Sequence, residues 1–547
     1  MRAQTYSALN ALSWWNVYFI LKFLLGLNQL IDFEPLYNLL LLCLLLLPVK
    51  YRLLHYLRQA LAIPAGVILA YHESYLPGLS AFTANAAGVG DFDLGFVADF
   101  LLSALNFTYV GIVALVLLLF LLLQDYLRFT FLSCAAVLYL TLQPWLSSWP
   151  GADEALPAPG NTTLTASAAG ASAAADPGAL QQQGPASPAA AAAWLPAFYQ
   201  YESTRRAALP AALNASDTPF DIVLLNICSL ASSDLQEVGL EHHPLFSGNA
   251  LTFTDFNSAT SYSGPATLRL LRSVCGQVPH SELYSVNSEC ELPQALEHLG
   301  YQSRLFMDHS GNFGNYLQGL RDYAAFNAPL SAQDGYSVRY RSFDGEPIYS
   351  TADVFDAYLK EIREHGAKAN FTLFNLVALH DGNVKPDGSF ERLSYNEQYQ
   401  LRAQLLLDDI LQFTRALEHS GRQVLLIFIP EHGAALRGDK IQMSRLRDIP
   451  SPSITRVPVF VKFINSPHRS ESSEVAQSTS YQALAALIGS ALSINYFAPD
   501  SHALPDQMIS TLPMTYAVSE NDGSVVVRFN GTDFLQLRGR DFTLYPR

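Results

Sequence analysis

RQVLLIFIPEHG, Arg422 to Gly433, is the stretch on which the reading of this chain turns. Val424 through Ile429 are apolar without interruption, and with Pro430 they have the length and composition of a strand buried on both faces. The run stops abruptly at Glu431-His432-Gly433. A carboxylate beside an imidazole, at the carboxyl end of a buried strand, stands where open α/β sheets collect their ligands. Glu431 and His432 are therefore the first candidate metal ligands.

Working outward, FDIVLLNIC (220–228), YQSRLFMD (301–308), FTLFNLVALH (371–380) and VPVFVKFI (457–464) read as further strands. Helical patterns lie between them, from Ala352 to His365 and from Asn396 to His419, the second stopped by Gly421. Strands alternating with helices predict an α/β domain with a mostly parallel central sheet over residues 197–547. Four of the strands end in groups that can do chemistry: Cys228, Asp308-His309, His380-Asp381 and Glu431-His432. A short helix is expected from Pro265 to Val274, and because proline belongs in a first helical turn, Ser263 falls at its start. There a hydroxyl faces unpaired backbone N–H groups, which favour a phosphate or an alkoxide. Alone this is an N-cap serine. With Glu431, His432 and a thiol at Cys228 it becomes a candidate nucleophile, since a hydroxyl attacks poorly until a base or metal lowers its pKa. Asp308, His309 and Asn315 are candidates for lining the cleft, and His242-His243 read as a solvated loop.

The rest of the chain differs in character. Half of the 547 residues are hydrophobic and 15% are charged, with the apolar excess before residue 150. The formal net charge of −15 argues against nucleic acid as partner. Apolar runs at about 14–31, 35–49, 59–76, 104–124 and 129–148 predict a membrane domain of about five helices over 1–150. Lys22 in the first is either a functional intramembrane charge or one that snorkels or marks a misjudged boundary. Lys50, Arg52, Arg58 and Arg128 flank one side of these runs, whereas the loop from His72 to Phe100 carries Glu73, Asp91, Asp93 and Asp99. The positive-inside rule puts the basic loops in the cytoplasm and, after five crossings, the rest of the chain outside. No cleavable signal pattern precedes them. Residues 151–196, rich in Ala, Pro, Gly and Ser, read as a flexible linker.

The order of thiol at a strand end, serine at a helix start, histidine after a later strand and acid-His-Gly resembles the alkaline phosphatase superfamily. Within it, NICSL (226–230), TSYSGP (260–265), LVALHDG (376–382) and PEHGA (430–434) look like the cellulose phosphoethanolamine transferases of bacterial cellulose biosynthesis. The resemblance implies Zn2+ held by Cys228, Ser263, Glu431 and His432, with Ser263 also the nucleophile. It implies that His380 faces the transferring phosphate. Tyr262, beside the nucleophile, is a candidate phosphate contact, and Arg447, in a basic stretch with Arg445, a candidate phosphate clamp. It further implies phosphatidylethanolamine as donor, cellulose as acceptor, the cellulose synthase complex as partner, and a multi-pass inner-membrane protein with a periplasmic catalytic domain. Cys228 and Glu431 stand where lipid A-modifying relatives carry other residues, which counts against that acceptor. A sulfatase would need Cys/Ser-x-Pro-x-Arg, and Ser263-Gly264-Pro265 is followed by Ala266-Thr267. A non-catalytic membrane scaffold of a polysaccharide synthase remains the non-enzyme alternative.

Of the five cysteines, Cys43 and Cys134 lie in apolar runs and read as core residues. In an oxidising compartment Cys275 and Cys290 would close a short loop after the nucleophile helix, contributing about 3 kcal/mol. Cys228 is then the odd thiol, free to bind metal.

Overall fold

The computed structural model describes residues 12–49, 51–76, 107–147, 176–181, 185–214, 219–365, 369–468, 472–499, 501 and 508–546. Lys50, Asp91, Asp93, Asp99 and residues 151–175 of the expected linker lie outside them. The chain divides into two compact units, the described residues up to 147 belonging to one and those from 176 to 545 to the other.

In the first unit each apolar run coincides largely with a helix, Trp15–Leu27, Pro35–Leu46, Arg52–Glu73, Phe107–Leu123 and Phe129–Ser147, the third starting seven residues before the expected run. Among the described residues one of them, Arg52–Glu73, is both long and apolar enough to cross a membrane. The helix lengths alone thus do not establish five crossings. Phe19, Leu41, Leu42 and Leu45 form part of a small core, while Leu53, Val67, Leu122 and Phe131 stay exposed. Lys22 neither snorkels nor marks a boundary. Its Nζ lies 2.5 Å from Glu73 Oε2 and donates to Asn38 Oδ1 at 2.6 Å, while Asn38 Nδ2 donates to Glu73 Oε1. All three side chains are buried, so three helices meet at one satisfied ion pair.

The second unit holds thirteen named strands among the described residues: β1 (Asp221–Ile227), β2 (Leu251–Phe253), β3 (Gln302–Met307), the hairpin β4 (Val338–Arg341) and β5 (Pro347–Tyr349), β6 (Asn370–Leu376), β7 (Val424–Pro430), β8 (Val459–Ile464), β9 (Ser473–Val475), and β10 (Val518–Asn521), β11 (Ser524–Phe529), β12 (Thr532–Leu537) and β13 (Thr543–Leu544). The main sheet runs β3-β6-β1-β7-β8-β2-β9. Its centre, β3 to β7, is parallel, while β8 is antiparallel to both of its neighbours. Every residue of β1, β6 and β7 is buried because both faces are covered. Along β1, Ile222 and Leu224 enter one core, and Val223, Leu225 and Ile227 the other.

Three differences from the sequence reading matter. The helix Pro188–Thr204 occupies the end of the expected linker, with Ser187 Oγ accepting the Ala190 N–H at 3.2 Å. It packs Trp194 and Phe198 against Val527, Phe529 and Phe534 of the antiparallel sheet β10–β13. Its alanines are strong helix formers, and with two aromatics to bury they belong to the folded unit, so the linker does not reach residue 196. The helix Ser263–Leu271 starts two residues before Pro265 and makes Ser263 its first helical residue. Finally, β6 ends at Leu376, not at His380. The Asp308 carboxylate accepts the Val377 N–H at 2.9 and 3.1 Å and turns the chain out of the sheet, leaving His380 in the following turn.

Candidate functional site

The carboxyl ends of β1, β6 and β7 are level, since Ile227 is in register with both Leu376 and Pro430. Cys228 and Glu431, the next residues of β1 and β7, are therefore adjacent, with Glu431 N–H donating to the Ile227 carbonyl at 2.8 Å. Ser263 arrives from above on its helix. Its Oγ lies 3.2 Å from His432 Nε2 and 3.3 Å from Cys228 Sγ, and those two atoms are 3.9 Å apart. The candidate ligand atoms of Cys228, Glu431 and His432 all lie within 4.8 Å of one another and are buried. The structure thus gathers the four residues predicted to surround a metal.

Three observations test whether a cation fits. Glu431 Oε1 accepts from Asn375 Nδ2 at 2.6 Å and Thr267 Oγ1 at 3.1 Å, but its Oε2 is buried with no hydrogen-bond partner. His432 Nδ1 lies 2.9 Å from the Gly433 carbonyl and 3.2 Å from Arg447 Nη1, so both its neighbours are on the far side of the ring and Nε2 faces Ser263 Oγ at 3.2 Å. Burial, and next the Glu431 charge, push the Cys228 thiol up to about 12, and burial also raises Glu431. His432 is held well down by burial and then by the Arg447 guanidinium. A buried thiol, a buried acid with an orphan oxygen and a neutral imidazole are a donor set that suits zinc, whose charge would reverse the penalty on both anions.

The backbone is held where this requires it. Ser229, just past Cys228, has φ +63°, a left-handed conformation that costs a non-glycine residue on the order of 1–3 kcal/mol. Tyr399 Oη donates to its carbonyl at 2.6 Å, and Arg447 Nη1 to its Oγ at 3.1 Å. Gly433 is required by space, for a Cβ there would stand 2.6 Å from Ala231 Cβ and 2.8 Å from Asp234 Oδ2. Asp234 accepts the N–H groups of Ala231 at 2.9 Å and Ala434 at 2.7 Å, tying the loop after β7 to the loop after β1.

A cleft of about 760 Å³ opens over the serine, lined in part by Tyr262, His309, Asn315, His380, His432 and Arg447. Arg447 has no ion-pair partner among the described residues, whereas Arg445 is committed to Asp381 by bonds of 2.8 and 2.9 Å. The basic stretch therefore splits into one structural and one available guanidinium. Burial, then Arg447, push His380 down to about 4, and its Nδ1 lies 2.7 Å from the Asp381 carbonyl. Tyr262 caps the nucleophile helix and donates to Asp448 at 2.8 Å. His309 and Asn315 line the cleft, but Asp308 lies behind it as the brace of the β6 turn. His243 is buried against Asp408 at 3.2 Å with Nδ1 accepting the Leu245 N–H, so it is a packing residue and not part of a solvated loop. Cys275 and Cys290 form a disulfide.

Sequence reasoning missed the residues that hold the site. Asn375 links Glu431, Asn226 and His309, and Thr267 bridges Asn226, Glu431 and Tyr316. Asn521, at the end of β10, accepts from Thr260 Oγ1 at 2.8 Å and donates to Ser261 Oγ at 2.6 Å and to the Asp448 carbonyl at 2.9 Å. The small sheet thereby joins the approach to Ser263 to the Arg447 loop. One signal was legible: Asn226 and Asn375 sit inside apolar strands that have no reason to carry an amide unless something there uses it.

Comparison with known proteins gives a consistent picture. Residues 176–542 match the cellulose biosynthesis protein BcsG C-terminal domain, and residues 15–142 the BcsG N-terminal domain. The cellulose biosynthesis protein BcsG of Salmonella typhimurium is 38% identical over 551 residues, covering 98% of this chain and 96% of that protein. The Escherichia coli K12 protein of the same description is 36% identical over 555 residues, with coverage of 98% and 96%. A crystal structure from Vibrio parahaemolyticus, described as a protein in the alkaline phosphatase superfamily, covers 62% of this chain and 85% of its own at 14% identity. Its TM-score is 0.44.

Proposed function

The chain belongs to the family of the cellulose biosynthesis protein BcsG, and on that premise we propose that it transfers phosphoethanolamine from phosphatidylethanolamine to the 6-hydroxyls of nascent cellulose through Ser263. The observation that carries this is the placement of a helix-start serine hydroxyl 3.2 Å from His432 Nε2 and 3.3 Å from Cys228 Sγ, beside an orphan carboxylate oxygen. In the first half-reaction Ser263 Oγ bonds to the lipid phosphorus, the bond from phosphorus to the diacylglycerol oxygen breaks, and the serine proton ends on that oxygen. In the second, a glucosyl O6 bonds to phosphorus, the Ser263 Oγ–phosphorus bond breaks, and the hydroxyl proton returns to the serine. Cys228, Glu431 and His432, with Ser263 itself, would hold zinc, which would lower the Ser263 pKa and offset charge on the phosphoryl oxygens. Arg447 and the N–H groups of the helix start bind those oxygens, which carry the transition-state charge. His380 is neutral at pH 7, and with Nδ1 committed its Nε2 takes up and hands on the travelling proton. Tyr262 walls the headgroup side of the nucleophile.

The reading includes a multi-pass inner-membrane anchor, a periplasmic catalytic unit and contact with the cellulose synthase complex. The apolar helices, the Cys275–Cys290 disulfide and the need to reach a lipid donor support it. The test uses the full chain in detergent, incubated with phosphatidylethanolamine labelled in the headgroup. A phosphoethanolamine adduct on the Ser263 peptide and about one zinc per chain are expected, and Ser263→Ala should lose the adduct but keep the metal. An adduct that persists in Ser263→Ala, or a wild type that neither labels nor holds zinc, refutes it.

A further inference from the structure

A headgroup of a phosphate, two carbons and an ammonium fills only a small part of the cleft of about 760 Å³ above Ser263. Its outer part is chemically unlike its floor. The floor carries His380, His432 and Arg447, whereas the charged side chains along the rest of the lining are all carboxylates: Asp322, Asp344 and Glu346. The same lining carries two aromatic pairs. Tyr284 and Tyr323 meet edge to face at 5.4 Å, and Phe313 and Phe343 at 4.9 Å. Phe343 also lies 5.6 Å from the His380 ring, so the aromatic wall continues down to the floor. Tyr284 and Phe313 remain 44% and 51% exposed, an apolar surface left open at the mouth of the site.

Each class of occupant meets this rim differently: the single ammonium of the donor headgroup can meet one carboxylate and one ring, and leaves the rest of the two aromatic pairs and three carboxylates open. A polyanionic acceptor would meet three carboxylates and no rim cation. An acyl chain would cover the rings but strip water from the carboxylates without replacing it. A pyranose offers an apolar C–H face to an aromatic ring and hydroxyl donors to carboxylates, so it satisfies both. We propose that the rim carrying Tyr284 and Phe313 is the acceptor subsite, holding a neutral β-linked glucan so that a hydroxymethyl group reaches the loaded Ser263. The inference rests on the transferase reading above and adds to it the residues that select the acceptor.

The test separates the half-reactions in the full-length protein in detergent, with headgroup-labelled phosphatidylethanolamine as donor and cellopentaose as acceptor. Tyr284→Ala/Phe313→Ala should load Ser263 within about twofold of wild type, while transfer to cellopentaose falls about tenfold or more through a raised KM. Tyr284→Phe should restore the ring and the transfer. Phe313→Ala alone serves if the double variant does not fold. Unchanged transfer overturns the subsite, and an equal loss of loading overturns it in favour of the donor lipid. If the wild type loads nothing, the transferase reading fails by itself. Calorimetric binding of cellopentaose, expected in wild type and lost in the variant, still decides the subsite, and equal binding by both overturns it.

Discussion

Asn375 is where the hydrogen bonds of the site converge, and its removal tests how the proposed metal ligands are held. Its Nδ2 donates to Glu431 Oε1 at 2.6 Å and to Asn226 Oδ1 at 3.0 Å, and its Oδ1 pairs with His309 Nε2 at 2.9 Å. Asn375→Ala deletes all three in a fully buried place. Two neutral bonds at about 1 kcal/mol and one to a carboxylate at about 1.5–3 kcal/mol put the loss near 4 kcal/mol of stability. Because Glu431 loses the donor that orients it, zinc affinity should fall about 10–100-fold. Competition against a chromophoric zinc chelator at neutral pH measures this directly. Asn375→Asp sharpens the test because it preserves volume but turns a donor into an acceptor beside Glu431. Two charges about 4 Å apart repel by about 4 kcal/mol at an effective dielectric near 20, so in chelator-treated protein at pH 8 the aspartate should melt below the alanine. A volume argument predicts the reverse order. Wild-type zinc affinity in Asn375→Ala, or an aspartate variant as stable as wild type at pH 8, would refute the reasoning.

Three further outcomes are expected. Lys22→Ala leaves Glu73 buried without its cation and should cost about 3–5 kcal/mol, much of it recovered in Lys22→Met/Glu73→Gln, as read by thermal melting in detergent; equal melting of the single and double variants would contradict this. Burial raises Asp308 from 3.8 to about 7, so its contribution to stability is full below about pH 4 and is lost as pH rises through 7. Asp308→Asn keeps an acceptor for the Val377 N–H and should melt above wild type at pH 8, with the gap narrowing steadily from pH 7 down to about pH 4; a pH-independent difference would refute the assignment. Trp194→Ala should destabilise the catalytic unit by about 3–5 kcal/mol, since the indole is buried between Phe198, Tyr516 and Phe529. Intact stability would return that helix to the linker.

Elements with strong local signals were legible. Buried strands such as Val424–Pro430 are long apolar runs, and the helix from Tyr395 begins at a Ser394/Glu397 capping box. Cys228, Ser263, Glu431 and His432 were legible because each stands at the end of an element, where a change of residue class is visible in the chain itself. Residues that act through distant partners were not. Asn521 serves the site from β10, more than two hundred residues after Ser261, and its NDG context looks like an ordinary turn.

By itself, the sequence determined that an apolar helical part precedes an α/β part, and that a thiol, an acid and an imidazole stand at the ends of buried strands, where the fold brings them together. Hydrophobic runs and element boundaries are local properties, so they can be read in order along the chain. Tertiary structure decided the rest. Sheet register brought Cys228 and Glu431 level, the β6 turn moved His380 off its strand, and Lys22 found Glu73 across three helices. The same folding separated Arg447 from Arg445 and left Glu431 Oε2 without a partner. These are relations between residues tens to hundreds of positions apart. Their energies exist only once both partners are desolvated together, so no local pattern carries them.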